Sequence, residues 1–288
     1  MRNIFIEELI LATKKNKNIF LVVNDLGYNV IESFKNKFPK NVINAGVSEQ
    51  SMMGYAAGLA ASGKQVFVYS IGNFNTFRCA EQIRNDVDYH NLSVTVVSVG
   101  GGVGYGHLGY SHHAIQDYSL MRSFPNILIA APGDDYECRA CIRYLIQNPQ
   151  PSYLRLSKNL NYVVHKKIPK IFPGKAIKIV DGKNKNTIYL TTGFVIHHVK
   201  KNYYKKKNYP IYSMPMWSMK VKKKQNLFIK KFKKVIVVED HLQDGGFQSW
   251  ILESLKNNNQ TRIISKSFNS KIIGKVGSED FLMKFLGK

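Results

Sequence analysis

Short apolar, β-branched runs alternate along the first part of the chain with stretches of helical periodicity. The runs predict strands at residues 19–24, 65–70, 93–99, 127–131 and 153–156, and the stretches predict helices at 3–14, 49–62, 76–89, 113–123 and 135–147. Strands that alternate with helices need crossover connections, so this rhythm predicts a parallel sheet. The almost unbroken apolar run Val94–Val99 is typical of a strand covered on both faces.

A second, smaller pattern of the same kind follows a weaker stretch rich in turn residues. It predicts strands at residues 187–192, 211–214, 235–239 and 262–265, with a helix at 246–256. Between the two patterns, Pro173-Gly174 and Asp181-Gly182 indicate turns and loops. The predicted organisation is α/β: a parallel-sheet domain over residues 1–160, a linker at 161–185 and a smaller α/β domain over 186–288.

Composition narrows the class of protein. Apolar residues make up 44% of the 288, enough for sizeable cores, yet no run of about 18 apolar residues predicts a membrane span. The first residues predict an amphipathic helix without the small-residue cleavage site of a secretory signal. Three cysteines, an odd and low count, favour a reducing cytoplasm without a disulfide framework.

The formal net charge of +23 raises nucleic acid as a partner. Most of the excess is lysine, concentrated at residues 200–207 and 222–234. These runs lack interleaved arginine, and no helix-turn-helix or zinc-finger spacing lies beside them. A solvated lysine-rich face is therefore the favoured interpretation, with a phosphate-tracking groove as the alternative.

The first segment with candidate chemistry runs from Asn44 through Glu49 to Gly58. A glycine turn leads directly into a helix, with Ser48 placed to cap it and Glu49 in the first turn. Small and apolar residues follow, so the helix is expected to be buried on most sides. The Glu49 carboxylate is then either a surface acid that stabilises the helix dipole or a buried functional acid.

The second segment, residues 100–113, is a glycine-rich loop directly after a predicted strand; we call it the glycine loop. Its backbone can approach a ligand closely, although its spacing is not that of a dinucleotide-binding turn. His107, His112 and His113 close it at the carboxyl end of a strand, where doubly wound sheets place their sites. Surface histidines are the alternative. Adjacent histidines have poor geometry for chelating zinc, and no cysteine lies nearby in the sequence.

Two further segments have structural interpretations that compete with functional ones. Phe74 and Phe77, three residues apart, would share one face at the start of a helix, either as core aromatics or as ring contacts for a ligand. Cys138 and Cys141 form a CxxC spacing inside a predicted helix, with no second pair. Two small buried residues are favoured there over a redox or metal site.

Taken in order, these segments make the chain resemble the pyrimidine-binding domain of transketolase. Related families are the deoxyxylulose-phosphate synthases and the β subunits of 2-oxoacid dehydrogenases. The resemblance extends over essentially the whole chain, because the second pattern is similar to the C-terminal domain of the same enzymes. The segments are GVSEQSMMGYAAGLAASG, FNTFRCAEQIRNDV, the glycine loop ending in GYSHH, PNILIAAPGDD and VVEDHLQDGGFQSW.

The resemblance implies thiamine diphosphate as cofactor and assigns roles by position. Glu49 matches the catalytic glutamate, and Phe74 and Phe77 match aromatics that line the aminopyrimidine ring. His112 matches a histidine that faces the substrate and the reactive carbon of the cofactor. Asp25 matches an acid near the cofactor and the dimer interface.

The resemblance is weaker at the residues that would hold the substrate. Arg2 and Lys158 match basic positions for a sugar phosphate. Leu108 stands where the family has an acid, Gly100 where it has a phosphate-contacting histidine, and Lys158 where it has an arginine. These departures affect the groups that recognise hydroxyls and phosphate, so they point to an unusual sugar.

A missing motif points to a partner chain. The family holds the diphosphate and its Mg²⁺ with a GDG segment followed by paired asparagines, and nothing in this sequence fits that pattern. The chain also begins where the family's second domain begins. We therefore expect an N-terminal subunit to supply the diphosphate-binding domain and the Mg²⁺ ligands, in a heterotetramer that transfers two-carbon ketol units between sugar phosphates.

Two alternatives stay open from the sequence. One is a 2-oxoacid-decarboxylating relative, either like a deoxyxylulose-phosphate synthase or like a dehydrogenase β subunit. The other is a non-enzymatic, lysine-rich protein that binds nucleic acid.

Overall fold

A computed structural model describes residues 1–158, 163–204, 207–255 and 260–288. Within these ranges the chain forms two α/β units, and the predicted strands are confirmed with small shifts at their ends. The strands are β1 Ile19–Val23, β2 Val42–Asn44, β3 Gln65–Ile71, β4 Val94–Val99, β5 Leu128–Ala130, β6 Ser152–Leu156, β7 Ile177–Val180, β8 Thr187–Thr191, β9 Ile211–Ser213, β10 Met216–Trp217, β11 Lys234–Leu242 and β12 Arg262–Phe268.

The longer helices within these ranges lie where the periodicity predicts helices, and the chain also forms several short helices that were not predicted. They are α1 Arg2–Lys15, α2 Glu32–Lys37, α3 Glu49–Ala61, α4 Gly72–Thr76, α5 Ala80–Gln82, α6 Asp117–Ser123, α7 Asp135–Gln147, α8 Ile196–Val199, α9 Asn226–Ile229, α10 Phe247–Ser254 and α11 Glu279–Leu282. Turns of 3₁₀ helix lie at Pro39–Asn41, Gly106–Leu108, Tyr110–His112, Met219–Val221, Ser270–Ile272 and Met283–Phe285, and π-helical turns at Ile83–Asp88 and Lys200–Tyr204.

The first sheet has the order β10-β5-β6-β4-β3-β1-β2 and is parallel apart from the β10–β5 pair. Helices cover both of its faces, as the unbroken apolar strands predict. On one face Val66, Val68 and Val94 pack against Met52 and Met53 of α3. The opposite face packs against α1 and α7, so the edge formed by the carboxyl ends of the strands is left for a site.

The second sheet has the order β12-β11-β8-β9-β7 and is parallel apart from the β7–β9 pair. β7 lies inside the stretch 161–185 that the sequence predicts as linker; residues 161 and 162, where that stretch begins, lie outside the described residues. β7 is a short, half-exposed edge strand with a lysine in it, which weakens its hydrophobic pattern.

The two units share one core. β10 comes from the second half of the chain but pairs with β5 of the first sheet, and the side chain of its Trp217 packs against Tyr118, Phe247 and Trp250. Leu242 N also donates to Ile115 O across the boundary, at 2.9 Å. A two-residue strand is too short to leave a periodic pattern, so this connection was not predicted.

Two predicted helices differ from the structure. The helix expected at 76–89 is divided into α5 and a π-helical turn, a wider winding that keeps Ile83 and Val87 both on the buried side. The helix expected at 113–123 begins only at Asp117, because the buried segment before it closes the glycine loop. The predicted helix at 246–256 is present as α10; its residue 256 lies outside the described residues.

Candidate functional site at the carboxyl edge of the first sheet

The carboxyl ends of β1 to β4 bring the predicted segments to one edge. Asn24 and Asp25 follow β1, Glu49 follows β2 and its turn, Phe74 follows β3, and the glycine loop follows β4. Parallel sheets place their ligands at this edge, because all the strand-to-helix connections of one sense meet there.

Glu49 is buried at the start of α3, with 7% of its surface exposed. Its Oε1 accepts a hydrogen bond from Asn24 Nδ2 at 3.0 Å and one from Arg78 Nη1 at 2.7 Å. Ser48 occupies the capping position, but its hydroxyl donates backward to Ala45 O instead of accepting from the helix amides. Glu49 is therefore a buried, hydrogen-bonded acid and not a solvated charge at a helix start; its catalytic role stays a prediction.

Phe74 lies between two groups of the site. The guanidinium of Arg78 lies over its ring at 4.2 Å, and the ring of His112 meets it edge-on, with 5.2 Å between ring centroids. Burial, together with the charge of Arg78, lowers the pKa of His112 below 6.5. His112 is thus a neutral imidazole at pH 7, able to accept or donate a hydrogen bond.

Asp25 is exposed and held in place by Asn44 at the ends of neighbouring strands. Asp25 N donates to Asn44 Oδ1 at 2.9 Å, and Asn44 Nδ2 donates to Asp25 Oδ1 at 3.2 Å. The backbone of Asp25 lies in the left-handed region, with φ of 57°. Such a conformation is uncommon outside glycine and asparagine, so the pair with Asn44 fixes an exposed carboxylate at the rim of the site.

Tyr105 of the glycine loop lies near Arg2 and Lys158, the two basic residues predicted for the site. Lys158 Nζ lies 4.7 Å from the centroid of its ring, and the ring lies 6.3 Å from that of His112. Burial raises the pKa of Tyr105, while the nearby charge of Arg2 partly opposes that rise. Arg2 and Lys158, 156 positions apart in the sequence, therefore converge on one tyrosine.

Tyr105 also explains one departure from the family pattern. A Cβ added to Gly100 would lie 2.1 Å from the Tyr105 ring, and Gly100 has φ of +83°. The ring therefore occupies the space that a side chain at position 100 would need.

A cavity of about 580 Å³ lies beyond Lys158, at the carboxyl ends of strands from both sheets. Most of its lining residues are polar, with His107 from the glycine loop, Lys201 and Asn202 from the second unit, and Asp280 near the C-terminal end. Such a lining combines apolar surface with several hydrogen-bonding groups that could orient a ligand.

The structure separates some residues that the sequence grouped. Phe77 ends the turn after α4 with 44% of its surface exposed, so it does not share the enclosed position of Phe74; as a cofactor contact it stays a prediction. The three histidines take three places: His112 beside Phe74, His107 in the cavity, and His113 buried with its Nε2 3.3 Å from Gly106 O.

Sequence reasoning missed Asn24, Arg78 and Tyr105. Asn24 ends a strand and Arg78 follows a short helix, so neither position signals proximity to Glu49. Tyr105 lies among glycines in a loop, where an aromatic residue has few local partners and must find distant ones. An aromatic residue among glycines is the one sequence signal that could have indicated a role for Tyr105 in the site.

The residues around Glu49 fit the aminopyrimidine ring of thiamine diphosphate. The Arg78 guanidinium is a flat group that stacks on Phe74 and donates to the Glu49 carboxylate, and a flat aminopyrimidine can make both contacts. Asn24 Oδ1 is a buried acceptor with no hydrogen-bond partner among the described residues, so it can accept from an amino group. An opening of about 420 Å³ adjoins Glu49 and Arg78.

The cysteines have the structural role that the sequence favours. All three are buried, and burial raises the pKa of Cys138 to about 12, so its thiol is not a metal-binding thiolate at neutral pH. Within the described ranges no group of three or more His, Cys, Asp or Glu side chains could hold a metal ion. In those same ranges no helix is both long and apolar enough to cross a membrane.

Comparisons with known proteins show what the chain is similar to. The family model described as transketolase, pyrimidine binding domain, matches residues 1–163. A protein of Methanocaldococcus jannaschii named as a putative transketolase C-terminal section is 32% identical over 291 residues, which cover 100% of this chain and 92% of that one. One subunit of the apulose-4-phosphate transketolase of Actinobacillus succinogenes is 33% identical over 262 residues, covering 88% and 82% of the two chains.

A solved structure has the same fold. It is described as a split gene transketolase in an inactive beta4 tetramer, and its TM-score against this chain is 0.82 at 25% sequence identity. The match covers 99% of this chain and 92% of the other. The second α/β unit is therefore included in the likeness.

Proposed function

Since the chain belongs to the transketolase family, we propose that it is the C-terminal subunit of a split, thiamine diphosphate-dependent transketolase. The observation that carries this proposal is the buried Glu49 carboxylate, which lies beside Asn24, Arg78 and Phe74 in an arrangement that fits an aminopyrimidine ring. The reaction is the transfer of a two-carbon ketol unit between sugar phosphates.

The residues of this chain have distinct tasks around the cofactor. When bound, thiamine diphosphate supplies the stabilisation of negative charge that cleavage of a ketose requires. With the cofactor bound, Glu49 would share a proton with the ring nitrogen of the pyrimidine, and Asn24 would fix the orientation of its carboxylate. Phe74 would contact the ring in the place that the Arg78 guanidinium occupies in this structure. His112, neutral at pH 7, exchanges hydrogen bonds and protons with the substrate oxygens.

The other half of the cofactor site belongs to a partner chain. We expect that chain to carry the diphosphate-binding domain and the Mg²⁺ ligands, and the assembly to be a heterotetramer. The Actinobacillus succinogenes relative is named as one subunit of its transketolase, and the solved beta4 tetramer is described as inactive. Both descriptions support a division of the active site between two chains.

Substrate recognition falls to Arg2, Lys158 and Tyr105. The two cations lie near Tyr105, so together with its hydroxyl they can bind the phosphate of a sugar. The cavity beyond Lys158 then receives the remainder of the molecule. Leu108, half exposed where the family has an acid, offers no hydrogen bond, which favours an unusual sugar over the common pentose phosphates.

The test is a transfer assay on the chain purified together with a partner that carries the diphosphate-binding domain. A panel of ketose and aldose phosphates is incubated with thiamine diphosphate and Mg²⁺, and products are analysed by mass spectrometry. We expect products longer or shorter by two carbons. Release of carbon dioxide from a 2-oxoacid without such transfer would support the decarboxylating relatives instead.

A further inference from the structure

The second unit contacts the glycine loop at points spread along the loop. Asp240, in β11, packs against Gly102, and Gly277 N donates to Gly106 O at 3.2 Å. The base of the loop is closed by Gly102 N, which donates to Ala114 O at 2.9 Å. The loop that ends in His112 is therefore enclosed by a unit that contributes no residue to the Glu49 group.

Arg155 joins the two units behind the loop. It lies in β6 and is buried, with 3% of its surface exposed. Its Nε donates to Asp117 Oδ2 at 2.6 Å, its Nη1 to Asp240 Oδ1 at 2.7 Å and its Nη2 to Ala114 O at 2.9 Å. The guanidinium also lies 4.4 Å from the centroid of the Tyr118 ring. A planar fork with fixed donor directions sets the relative positions of all these groups.

Three glycines of the loop lie so close to the second unit or to Arg155 that no side chain would fit at their positions. A Cβ on Gly101 would lie 2.6 Å from Arg155 Nε, and one on Gly102 would lie 2.3 Å from Asp240 Oδ2. At Gly106 it would lie 2.4 Å from the carbonyl oxygen of Gly277. The sequence suggested that these glycines let the backbone approach a ligand; at these three positions the close neighbours are side chains and backbone of the protein itself.

A loop so rich in glycine has many accessible conformations unless other groups hold it. Gly100, Gly102 and Gly109 have φ of +83°, +68° and +76°, and His112 lies ten positions beyond Gly102. An error in the loop of even about 1 Å at a reacting group is costly to catalysis. The position of His112 beside Phe74 therefore depends on contacts made far from it.

We propose that Arg155 and Asp240 are positioning residues that fix the glycine loop, so the second unit takes part in catalysis by placing His112. Asp240 also lines the cavity beyond Lys158, but the role proposed here rests on its contacts with Gly102 and Arg155 and not on any contact with the cofactor. The inference about rate rests on the proposed function, whereas the inference about the loop concerns the chain alone.

Asp240→Asn is the main test, because an amide has the same shape but removes the charge that binds Arg155. Hydrogen exchange of the full-length chain should show the loop amides exchanging at least about tenfold faster, since a hydrogen bond to a charged group is stronger than a neutral one. In the complex with the partner, kcat should fall by about tenfold or more while the affinity for thiamine diphosphate is unchanged. Arg155→Lys, which keeps the charge but loses the fork that reaches Asp117, Asp240 and Ala114 together, should give a larger effect of the same kind.

Glu8→Gln is the matched control. Glu8 is as buried as Asp240 and also accepts from arginines, Arg139 at 2.9 Å and Arg143 at 2.8 Å, but it joins α1 to α7 within the first unit. It should lower the melting temperature without changing loop exchange or kcat. Asp240→Asn with wild-type loop exchange would overturn the proposal, and so would faster loop exchange with an unchanged kcat. A wild-type complex without ketol transfer would refute the proposed function but leave the exchange result decisive for the loop.

Discussion

At the scale of single residues, Glu49 and Tyr105 have most influence on the proposed chemistry. Glu49 accepts hydrogen bonds from two other connections, through Asn24 after β1 and Arg78 after β3, and Tyr105 lies near His112, Lys158 and Arg2. Each residue can be replaced by one of nearly the same shape: Gln removes the ionisable group of Glu49, and Phe removes the hydroxyl of Tyr105. Each therefore permits a test in which chemistry and packing are separated.

Glu49→Gln should reduce turnover of the reconstituted complex by on the order of 10²–10⁴. The amide can still accept from Asn24, but it cannot share a proton with the pyrimidine nitrogen. Stability should fall by at most about 1 kcal/mol, because Arg78 is half exposed and its ion pair is weakened by solvent. Turnover and melting temperature are measured on the same preparation.

Glu32→Gln is the control for this variant, since Glu32 is also the first residue of a helix but is exposed. It should have wild-type activity. A stable and fully active Glu49→Gln complex would remove the main support for the proposed function.

Tyr105→Phe should raise the KM for a phosphorylated sugar by roughly three- to tenfold, the loss expected for one hydrogen bond of about 0.5–1.5 kcal/mol. The ring still fills the space beside Gly100, so folding and kcat should change little. Steady-state kinetics with the preferred substrate measures both constants.

Tyr110→Phe provides the comparison within the same loop, because the Tyr110 hydroxyl accepts from Gln116 at 2.7 Å and faces solvent. It should leave KM unchanged. Equal KM values for wild type and Tyr105→Phe would show that the phosphate is bound elsewhere.

At the scale of elements, the segment after β6 is tied to the start of α7 by His165. Its Nδ1 lies 3.0 Å from Asp134 Oδ2 and its Nε2 lies 3.6 Å from Glu137 Oε1. Burial by itself lowers the pKa of His165, but the hydrogen bond to Asp134 and the charges of Glu137 and Asp134 outweigh it and raise the pKa above 6.5. The folded chain therefore binds this proton more tightly than the unfolded chain.

The stabilisation from His165 should be fully present below pH 6.5 and lost as the pH rises through the folded-state pKa. Burial also raises the pKa of Glu137 to about 7, which adds a decline in stability between pH 4.5 and about 7. Urea midpoints of the wild type and His165→Gln are therefore compared over a range that begins below pH 6.5 and extends above pH 7. The wild-type midpoint should fall with rising pH, and that of His165→Gln should fall less.

The exposed His90 gives the control, and His90→Gln should follow the wild-type curve. Parallel curves for His165→Gln and the wild type would mean that His165 is not protonated in the folded chain.

At the scale of the whole molecule, the proposed function requires a surface on which the partner chain can pack. Three hydrophobic side chains are exposed on one segment of the chain: Val47 lies just before α3, Tyr55 lies within α3, and Phe77 lies just after α4. Permanent interfaces of this kind bury more than roughly 2,000 Å². We expect the partner to cover them.

The isolated chain should have no ketol-transfer activity and should bind thiamine diphosphate weakly, because the proposed function assigns the groups for the diphosphate and Mg²⁺ to the partner. Calorimetry of the purified chain, with and without the partner, measures this. Micromolar binding together with turnover by the isolated chain would contradict the split-enzyme proposal, and so would a chain that stays monomeric beside its partner and cofactor.

The lysine-rich surface is the last feature at this scale. Lys222 pairs with Glu253, which also accepts from Arg122, so part of the run at 222–234 is engaged within the chain. A mobility-shift assay should show no nucleic-acid complex at about 150 mM salt, because phosphate contacts from scattered lysines weaken steeply with salt. A specific complex that persists there would revive the nucleic-acid alternative.

The expectation that α3 is buried on most sides was wrong, because Gln50, Ser51, Gly54, Tyr55 and Gly58 are exposed along it. Local patterns in the sequence were enough to predict the strand-and-helix rhythm, the burial of Cys138 and Cys141, and the order of the segments that meet at the carboxyl edge. These follow from local causes. The periodicity of Val94–Val99 and the turn before Glu49 depend on neighbours in the chain, and parallel connections bring their ends to one edge. The likeness to transketolase rests on the same local segments, which is why it pointed to Glu49, Phe74 and His112.

The contacts between residues far apart in the chain become visible only in the folded structure. It placed Arg78 against Glu49, brought Arg2 and Lys158 to Tyr105, and set Arg155 against Asp240, 85 positions away. It also moved β10 into the first sheet, although that strand is only two residues long. Such contacts join residues far apart in the chain, and their partners are selected by the packing of both units together, which no local pattern contains.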